Sequence, residues 1–470
     1  MVAVSKSFEL SELSWASYVG YDGDINQYKK TLVDRQHFGQ AQAEDFVKNW
    51  EIVPNGHQPN TENGFSATLF RRLTDDPASG FKAGDYVYAA RGTEPGAQGG
   101  IDLWKEDVGN IVNRGLAINQ IVDMYNDWQR INAPKGASYQ AARIVDLVSG
   151  GSPGRVLGDQ SGYSTIEFVD SATLFSDGRA TGLGLAADIA AHGVTATGHS
   201  LGGHLASAFS RLFGAEAVTI NGAGYAIPGI SGFGASNIAN LFAMLGGASS
   251  FDSTRITNIY GEKMPEVVTM DKTWGLQQAG AHVPLYIEQP KFWDNALGHG
   301  VDQMTDSLAV YELLIQLDPS LSAMPAQDAL GKLTPLFEAA SNQATTSLEN
   351  LVDRVGALFG LNLTTATDNR DALYSSLQAL RAPGTLYSQS QGLLTVSQPS
   401  LNGASAFQNN SQGLAERYAL QQLNPFVISG DDGLYEAHNT QGRLDLYNPT
   451  TGTGQITEQW IRDRAEMLQF

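Results

Sequence analysis

Residues 198–202, Gly-His-Ser-Leu-Gly, constrain the fold of this chain more than any other segment. They stand between a β-branched run at 194–197 and an amphipathic, helix-like stretch at 203–209. A strand, the pattern G-x-S-x-G and a helix are together typical of a sharp turn that exposes the serine hydroxyl. The two glycines are needed because neighbouring backbone passes close beneath such a turn. The sequence therefore predicts a nucleophile elbow with Ser200 at its tip, beside a helix N-terminus that attracts negative charge.

The apolar runs around the elbow predict further strands of one sheet. Residues 217–221, 255–260 and 282–287 each have the length and composition of a short buried parallel strand. A similar run at 86–90 precedes the elbow. Strands separated by helix-like stretches in this order predict an α/β class, and with the elbow they predict an α/β-hydrolase fold with a mainly parallel sheet.

The character of the chain changes beyond residue 315. Helix-like stretches broken by proline and glycine occupy 316–382, and a segment rich in Ser, Gln, Asn and Gly at 383–412 predicts an exposed linker. With 470 residues the chain is long enough for one large domain and an addition. We therefore expect a catalytic domain at 1–315 and a helical and mixed C-terminal extension at 316–470, packed on that domain.

A serine hydroxyl is a weak nucleophile, and it needs a general base that is held by a carboxylate. In the chain order of the predicted fold, the acid and the base both follow the serine. His204 lies only one helical turn after Ser200, where it is expected to pack or to cap. This leaves His282, His299 and His438 as candidate bases. His299 falls in the loop after the last predicted strand. His282 would lie at the start of that strand, at the wrong end of a parallel sheet. We expect His299 to be the base, with a structural or surface role as its alternative.

The acid is expected just after the strand predicted at 255–260. Glu262 is the first carboxylate there, and a glutamate can hold an imidazole and stabilise its cation. Glu262 is therefore the predicted triad acid, and a solvated loop carboxylate is the alternative. The carboxylates that compete with it are Glu266, Asp271, Asp294 and Asp302.

Two further motifs give the chain a family resemblance. The strand predicted at 86–90 ends in Arg91-Gly92-Thr93 and is followed by Asp102-Leu103-Trp104-Lys105-Glu106-Asp107. Together with the elbow, this order resembles the class 3 lipase family, in which an R-G-T strand end supplies an oxyanion-hole threonine. The stretch 298–311 resembles the histidine loop and helix of bacterial secreted lipases and A1-type phospholipases. The resemblance covers roughly residues 80–315.

The resemblance implies an activity and an oxyanion hole. It implies a serine ester hydrolase that cleaves acyl esters of lipids, of lipase or phospholipase A1 type, through an acyl-enzyme. Carried over residue by residue, it implies that Thr93 and Leu201 donate backbone N–H groups to the oxyanion. The alternative is a relative with the same fold that acts as a binding module or a peptidase.

Charge and hydropathy limit the partners. With 29 Lys and Arg against 49 Asp and Glu, the net charge of −20 repels phosphate backbones and anionic bilayers. Nucleic acid is therefore not an expected partner. No run approaches the roughly 18 apolar residues of a membrane span, so we expect adsorption to a lipid interface without stable insertion.

The chain has no cysteine, which excludes disulfides and thiolate metal sites. Its first residues lack the apolar block of a cleaved secretory leader. With the lipase resemblance, this predicts export without such a leader, through secretion machinery of type I kind, although the glycine-aspartate calcium repeats of that class are missing. A cytoplasmic location is the alternative. The proposed chemistry needs no cofactor, and the turn containing Asp431 and Asp432 is a weak candidate for structural calcium.

Three more segments carry expectations about local structure. Residues 99–131 have apolar residues near helical spacing, which is typical of a core-facing helix, and the alternative is a lid or lipid-contacting surface. Residues 222–250, rich in Gly, Ala and Ser, are a candidate second flap. Residues 151–164 are predicted to form a loop.

Overall fold

The computed structural model describes residues 2–93, 111, 115–147, 155–159, 162–227, 233–262, 276–288, 300–340, 347–365 and 369–468. The strands are β1 (Trp50–Gln58), β2 (Ala67–Arg72), β3 (Tyr86–Ala90), β4 (Gln140–Asp146), β5 (Leu157–Asp159), β6 (Gly162–Asp170), β7 (Val194–His199), β8 (Glu216–Ile220), β9 (Tyr225–Ala226), β10 (Ile256–Gly261), β11 (Leu276–Gln277), β12 (Ala281–Leu285), β13 (Thr395–Ser397) and β14 (Val427–Ser429). The helices are α1 (Val4–Ala16), α2 (Ile25–Gln36), α3 (Gln40–Asn49), α4 (Ile118–Asn132), α5 (Ser171–Leu174), α6 (Ala186–His192), α7 (Leu201–Phe213), α8 (Gly234–Met244), α9 (Val301–Ile315), α10 (Pro319–Ser322), α11 (Ala326–Ala340), α12 (Ser347–Leu358), α13 (Arg370–Arg381), α14 (Leu386–Gln389), α15 (Ser411–Gln422) and α16 (Glu458–Met467).

The central sheet has seven strands in the order β1-β2-β3-β7-β8-β10-β12. The pairs β1/β2 and β2/β3 are antiparallel, and every pair from β3 to β12 is parallel. Near their carboxyl ends, Gly198 of β7 pairs with Ala90 of β3 on one side and Thr219 of β8 on the other. Since a serine elbow follows β7, the middle strand of the seven-stranded sheet, the fold is the predicted α/β-hydrolase fold.

Side chains alternate across the sheet and build two separate cores. Val87 and Ala89 of β3 belong to a cluster that includes α1 and α9, whereas Tyr86 and Tyr88 belong to a cluster beneath α4, α7 and α8. Tyr88 stacks on Phe209 of α7, with ring centroids 4.7 Å apart. The helix that starts at the elbow is thereby packed against the strand that precedes the Arg-Gly-Thr motif.

Helix α1 is buried along almost its whole length although it carries Glu9 and Glu12. Glu9 accepts hydrogen bonds from Trp50 Nε1 and from Arg72, and Glu12 accepts one of 2.9 Å from Gln42 Nε2. Buried carboxylates are tolerated when such donors satisfy them. These contacts let α1 lie between the sheet and α9, and they bring the residues after α1 to the carboxyl edge of the sheet.

Side chains from both sides of residue 315 share one core. Leu10 of α1 and Leu308 of α9 belong to the same apolar cluster as Leu330, Leu351 and Leu377 of α11, α12 and α13. Ion pairs cross the same boundary at two places, Asp306 with Arg370 at 2.8 Å and Glu312 with Arg381 at 2.8 Å. The division at residue 315 itself stays a prediction.

The predicted strands of the parallel sheet are confirmed as β3, β7, β8, β10 and β12, within one or two residues at their ends. The core-facing interpretation of 99–131 is confirmed for α4, where Ile121, Met124 and Ile131 are fully buried. Ile111 is also buried. The rest of the segment before residue 115 lies outside the described residues.

Three local predictions were wrong: the flap at 222–250, the loop at 151–164 and the exposed linker at 383–412. The candidate flap at 222–250 contains α8, whose Leu241 and Phe242 are fully buried, and a core helix cannot serve as a surface flap. Within 151–164, residues 157–159 and 162–164 form strands of an antiparallel sheet in the order β4-β6-β5.

The exposed linker predicted at 383–412 is a packed segment. Tyr387 and Leu394 in it are buried, and β13 pairs with β14. The Leu394 N–H donates to the Leu317 carbonyl oxygen at 3.0 Å. This hydrogen bond attaches the segment to the chain just after the end of α9. A few widely spaced apolar residues therefore anchor a stretch whose average composition is that of a linker.

Within the part of the chain that the structure describes, no helix combines the length and the apolar content needed to cross a membrane.

Candidate active site

Ser200 occupies the strained turn predicted for it. It follows β7 directly and has φ 57° and ψ −124°, a backbone conformation that non-glycine residues rarely adopt. Its N–H donates to the Ile220 carbonyl oxygen of β8 at 3.1 Å, and its carbonyl oxygen accepts from Gly203 and Ala223 at 2.9 Å. Strand β8 and helix α7 thus hold the turn from both sides.

The two elbow glycines are required for steric reasons, as the sequence predicts. A Cβ at Gly198 would overlap the carbonyl of Gly202, and a Cβ at Gly202 would overlap the carbonyl oxygen of Ala90. Backbone atoms cannot move away as the end of a flexible side chain can. Alanine at either position would therefore push β3 away from the elbow.

Leu201 and Thr93, the predicted oxyanion donors, follow neighbouring strands. Leu201 is the first residue of α7, where N–H groups lack intrahelical acceptors and the helix dipole favours an anion. Thr93 is half-buried and lies three residues beyond the end of β3. Because Gly202 contacts Ala90 and Arg91, the two segments meet at the carboxyl edge of the sheet. This edge is where an oxyanion beside Ser200 would need its donors.

Glu262 stands one residue after β10, two strands from the elbow. Its N–H donates to the Leu285 carbonyl oxygen of β12 at 3.0 Å, and its side chain is exposed. The preceding Gly261 N–H donates to Asn221 Oδ1 at 3.0 Å, so the loop after β8 fixes the end of β10. Burial raises the pKa of Tyr311 in α9, and the negative charge of Glu262 raises it further by a smaller amount. The Glu262 carboxylate therefore lies within electrostatic reach of α9.

His299, the predicted base, lies outside the described residues, and so do Glu266, Asp271 and Asp294. The chain is described again from Gly300, which caps the N-terminus of α9. Helix α9 therefore begins two residues after His299.

The competing residues are occupied elsewhere. His282 lies at the amino end of β12, as predicted for a residue at the wrong edge of the sheet. His438 Nε2 donates to the Leu358 carbonyl oxygen at 3.1 Å, within the extension. Asp302 forms an ion pair of 3.0 Å with Arg370 of α13, which competes with any role as the triad acid.

His204 lies one helical turn after the elbow and acts as a packing residue, as its position predicts. It is fully buried and stacks on Tyr225, with ring centroids 4.0 Å apart. The Ala117 N–H donates to Nε2 at 3.2 Å, so Nδ1 carries the hydrogen and donates to the Gly224 carbonyl oxygen at 3.0 Å. Burial lowers the pKa of His204 to about 4, so the ring is neutral at physiological pH.

Sequence reasoning missed Tyr18. Its hydroxyl shares a hydrogen bond of 2.9 Å with Nδ1 of His199, the residue before the nucleophile. The two residues are 181 positions apart, and no motif surrounds Tyr18. Only the course of α1 through the core brings this tyrosine to the elbow.

The described residues contain no cluster of three or more His, Asp or Glu side chains arranged to hold a metal ion. Asp431, part of the weak calcium candidate, accepts a hydrogen bond of 2.8 Å from the Gly433 N–H and caps a short 3₁₀ turn.

Comparison with known proteins adds three remote likenesses. No protein-family model and no curated protein matches the sequence. The chain is similar in structure to Lip2 lipase from Yarrowia lipolytica (16% identity, TM-score 0.29, 60% of this chain and 78% of that one) and to the Rhizomucor miehei lipase propeptide complex (13%, 0.28, 60% and 67%). Nonglycosylated Yarrowia lipolytica LIP2 lipase is a further likeness (14%, 0.30, 61% and 81%). Because these TM-scores are low, we assign the fold from the strand order and the elbow themselves.

Proposed function

We propose that this protein is a serine ester hydrolase that cleaves acyl esters of lipids, as the resemblance to class 3 lipases implies. The observation that carries the proposal is the strained Ser200 between β7 and the N-terminus of α7. A strained backbone at a serine is costly, and it is kept where a hydroxyl must be presented to a substrate.

In the proposed reaction, the Ser200 hydroxyl oxygen attacks the ester carbonyl carbon while His299 takes the hydroxyl proton. The oxyanion of the tetrahedral intermediate accepts hydrogen bonds from the N–H groups of Thr93 and Leu201. The intermediate collapses, the carbon–oxygen bond to the alcohol breaks, and His299 returns the proton to the leaving alcohol. Water then attacks the acyl-enzyme by the same route, which releases the fatty acid and restores Ser200.

Glu262 is proposed to orient His299 and to stabilise its cation. Its position one residue after β10 and its electrostatic reach towards α9, the helix that follows His299, support this role. The ion pair between Asp302 and Arg370 argues against the nearest described competitor.

Covalent labelling tests the proposal. A fluorophosphonate probe should modify the folded protein once, at Ser200, and the Ser200→Ala variant should stay unmodified. Peptide mapping by mass spectrometry locates the label. A folded wild-type protein that resists the probe and hydrolyses no ester would favour the non-catalytic alternative, while cleavage of peptides but not of esters would favour a peptidase.

The substrate is proposed to be a lipid ester at an interface, without stable insertion of the protein. Lipase and phospholipase A1 activities differ in the headgroup that the loops admit. Product analysis on triolein and on phospholipid labelled at each acyl position separates them: release from the first position of the phospholipid indicates the A1 type, and release from triolein alone indicates a lipase.

Two further predictions accompany the proposal. Export without a cleaved leader is tested by finding the intact chain in the medium of the cells that make it, and retention in the cytosol is the contrary result. Structural calcium at Asp431 and Asp432 is tested by thermal unfolding with and without a chelator, which should shift the midpoint if calcium is bound.

A further inference from the structure

We propose that Tyr18 is a positioning residue of the oxyanion hole, which it aligns through Gly92 and His199. The inference rests on the proposed function and adds to it a residue that lies outside the three motifs. The residues that carry this inference lie at the end of α1, in the elbow and in the segment after β3, all within the described part of the chain.

The hydroxyl of Tyr18 lies where two backbone segments meet. It shares the 2.9 Å hydrogen bond with His199 Nδ1, and the two rings are 6.1 Å apart between centroids. A Cβ at Gly92 would overlap this hydroxyl and would come within 2.5 Å of the His199 carbonyl oxygen. Gly92 is thus held between the tyrosine and the strand that ends in the nucleophile.

Gly92 connects this contact to the predicted oxyanion donor. Thr93 is the next residue, so any shift of Gly92 away from β7 moves the Thr93 N–H relative to Ser200. On its other side, Gly92 lies beneath Gly202, the second residue of α7. The segment is therefore held between α7 on one side and Tyr18 on the other.

Tyr18 itself is well anchored at its backbone and partly exposed at its side chain. Its N–H donates to the Trp15 carbonyl oxygen at 3.2 Å, where α1 ends, and Trp15 is buried in the core. The side chain is of intermediate exposure, at the edge of the buried helix. A rigid backbone with a hydroxyl at the site suits a residue that sets a distance.

The kinetic consequence follows from how oxyanion donors act. They stabilise the transition state through short contacts that must already be in place, and displacement by a fraction of an ångström weakens them. Loss of a whole donor costs on the order of 100-fold to 1000-fold in kcat. Loss of a group that only positions a donor should cost less, on the order of 10-fold.

The test compares Tyr18→Phe with wild type on a soluble ester, with each rate divided by the fraction of protein that a fluorophosphonate titrates. We expect kcat to fall about 10-fold with KM little changed. The inhibition constant of a trifluoromethyl ketone, which forms a tetrahedral adduct with an oxyanion, should rise by a similar factor. Binding of the matching non-electrophilic alcohol, which has no oxyanion, should not change.

Tyr28→Phe is the matched control. Its hydroxyl donates to the Ala16 carbonyl oxygen at 2.7 Å, at the end of the same helix, and it is buried away from the elbow. Its removal should lower thermal stability and leave the corrected kcat and the ketone constant unchanged. A purely structural role of Tyr18 would give this same pattern.

Should Tyr18→Phe fail to fold, His199→Leu removes the ring nitrogen from the other side of the hydrogen bond and should give the same paired loss. Unchanged kcat and unchanged ketone binding in the folded variant would overturn the inference and leave the proposed function standing. A wild-type protein that neither turns over esters nor is labelled at Ser200 would overturn both.

Discussion

Single residues set the chemistry of this site, and the most informative is a serine in a conformation that costs energy. Ser200 keeps a positive φ because β8, α7 and Ala223 fix it through backbone hydrogen bonds. The surrounding glycines are steric necessities, since Ala90 and Gly202 leave no room for a methyl group. The elbow is therefore a property of the packed sheet edge as much as of the five-residue motif.

Glu262→Gln tests the predicted acid at this scale. The change keeps the shape of the side chain but removes the charge that would stabilise the imidazole cation. We expect kcat to fall by a large factor, up to the order of 10⁴ that the corresponding change costs in a serine protease, with little change in thermal stability. Steady-state kinetics beside a thermal melt measures both.

Asp302→Asn is the informative companion to Glu262→Gln. If Glu262→Gln turns over normally while Asp302→Asn, Asp271→Asn or Asp294→Asn is inactive, the acid belongs to another loop.

His204 predicts how stability depends on pH. Its pKa is lowered to about 4 by burial, against about 6.5 in an unfolded chain, so the unfolded state binds the proton first. The contribution of His204 to the free energy of unfolding is therefore complete above pH 6.5 and is lost as the pH falls towards 4. The whole loss is about 3 kcal/mol.

His204→Gln isolates this contribution, because an amide can donate and accept but does not titrate in that range. Urea unfolding at pH 7 and at pH 4.5 should show a smaller loss of the free energy of unfolding in the variant than in wild type. Other groups, such as His57, titrate alike in both proteins and cancel in the comparison. An equal loss in both would contradict a buried neutral ring.

At the scale of helices and strands, ion pairs tie α9 to the extension. Arg370 of α13 contacts Asp302 and Asp306 of α9, donates to the His37 carbonyl oxygen at 2.9 Å, and lies over the Trp15 ring. Helix α9 starts just after His299, so α13 fixes the element that follows the predicted base. Burial raises the pKa of Asp306, while Arg370 opposes that shift by favouring its charged form.

Arg370→Leu should therefore be strongly destabilising. It leaves the buried Asp306 without its cation, which costs about 3–5 kcal/mol when one partner of a buried pair is removed. The double variant Arg370→Leu with Asp306→Leu should recover part of that loss, since the buried carboxylate is then removed and only the more exposed Asp302 loses its partner. Denaturant unfolding of both variants measures the difference, and a double variant no more stable than the single one would contradict the account.

The strands and helices were more predictable than the contacts between them. Residues 86–90 and 217–221 are apolar enough for the sequence to predict buried strands. The elbow motif between them in the chain indicates the fold to which these strands belong. Tyr18 could not be found, because its role depends on a helix that carries it through the core to a histidine 181 positions away. The packed segment at 383–412 was mistaken for a linker because Tyr387 and Leu394 are outnumbered by polar neighbours.

At the scale of the whole molecule, one apolar core joins the sheet to the helices beyond residue 315. Leu10, Leu308 and Leu351 lie in the same cluster, so the extension cannot detach without exposing α1 and α9. Cooperative units in proteins follow such shared cores.

Hydrogen exchange in increasing denaturant tests this shared core. Amides of α9 and of α12 should open with the same free energy, as parts of one unit. Exchange of α12 at clearly lower denaturant than α9 would show instead that the extension unfolds separately.

The most direct measurement of the central claim is the hydrolysis of a lipid ester by wild type and by Ser200→Ala, both shown to be folded by circular dichroism and thermal melting. We expect turnover by wild type and loss of nearly all of it in the variant. A residual acceleration on the order of 10³ to 10⁴ over water would remain from binding and the oxyanion hole. Ester turnover at the wild-type rate by folded Ser200→Ala would contradict the account, because the strained serine would then have no part in the chemistry.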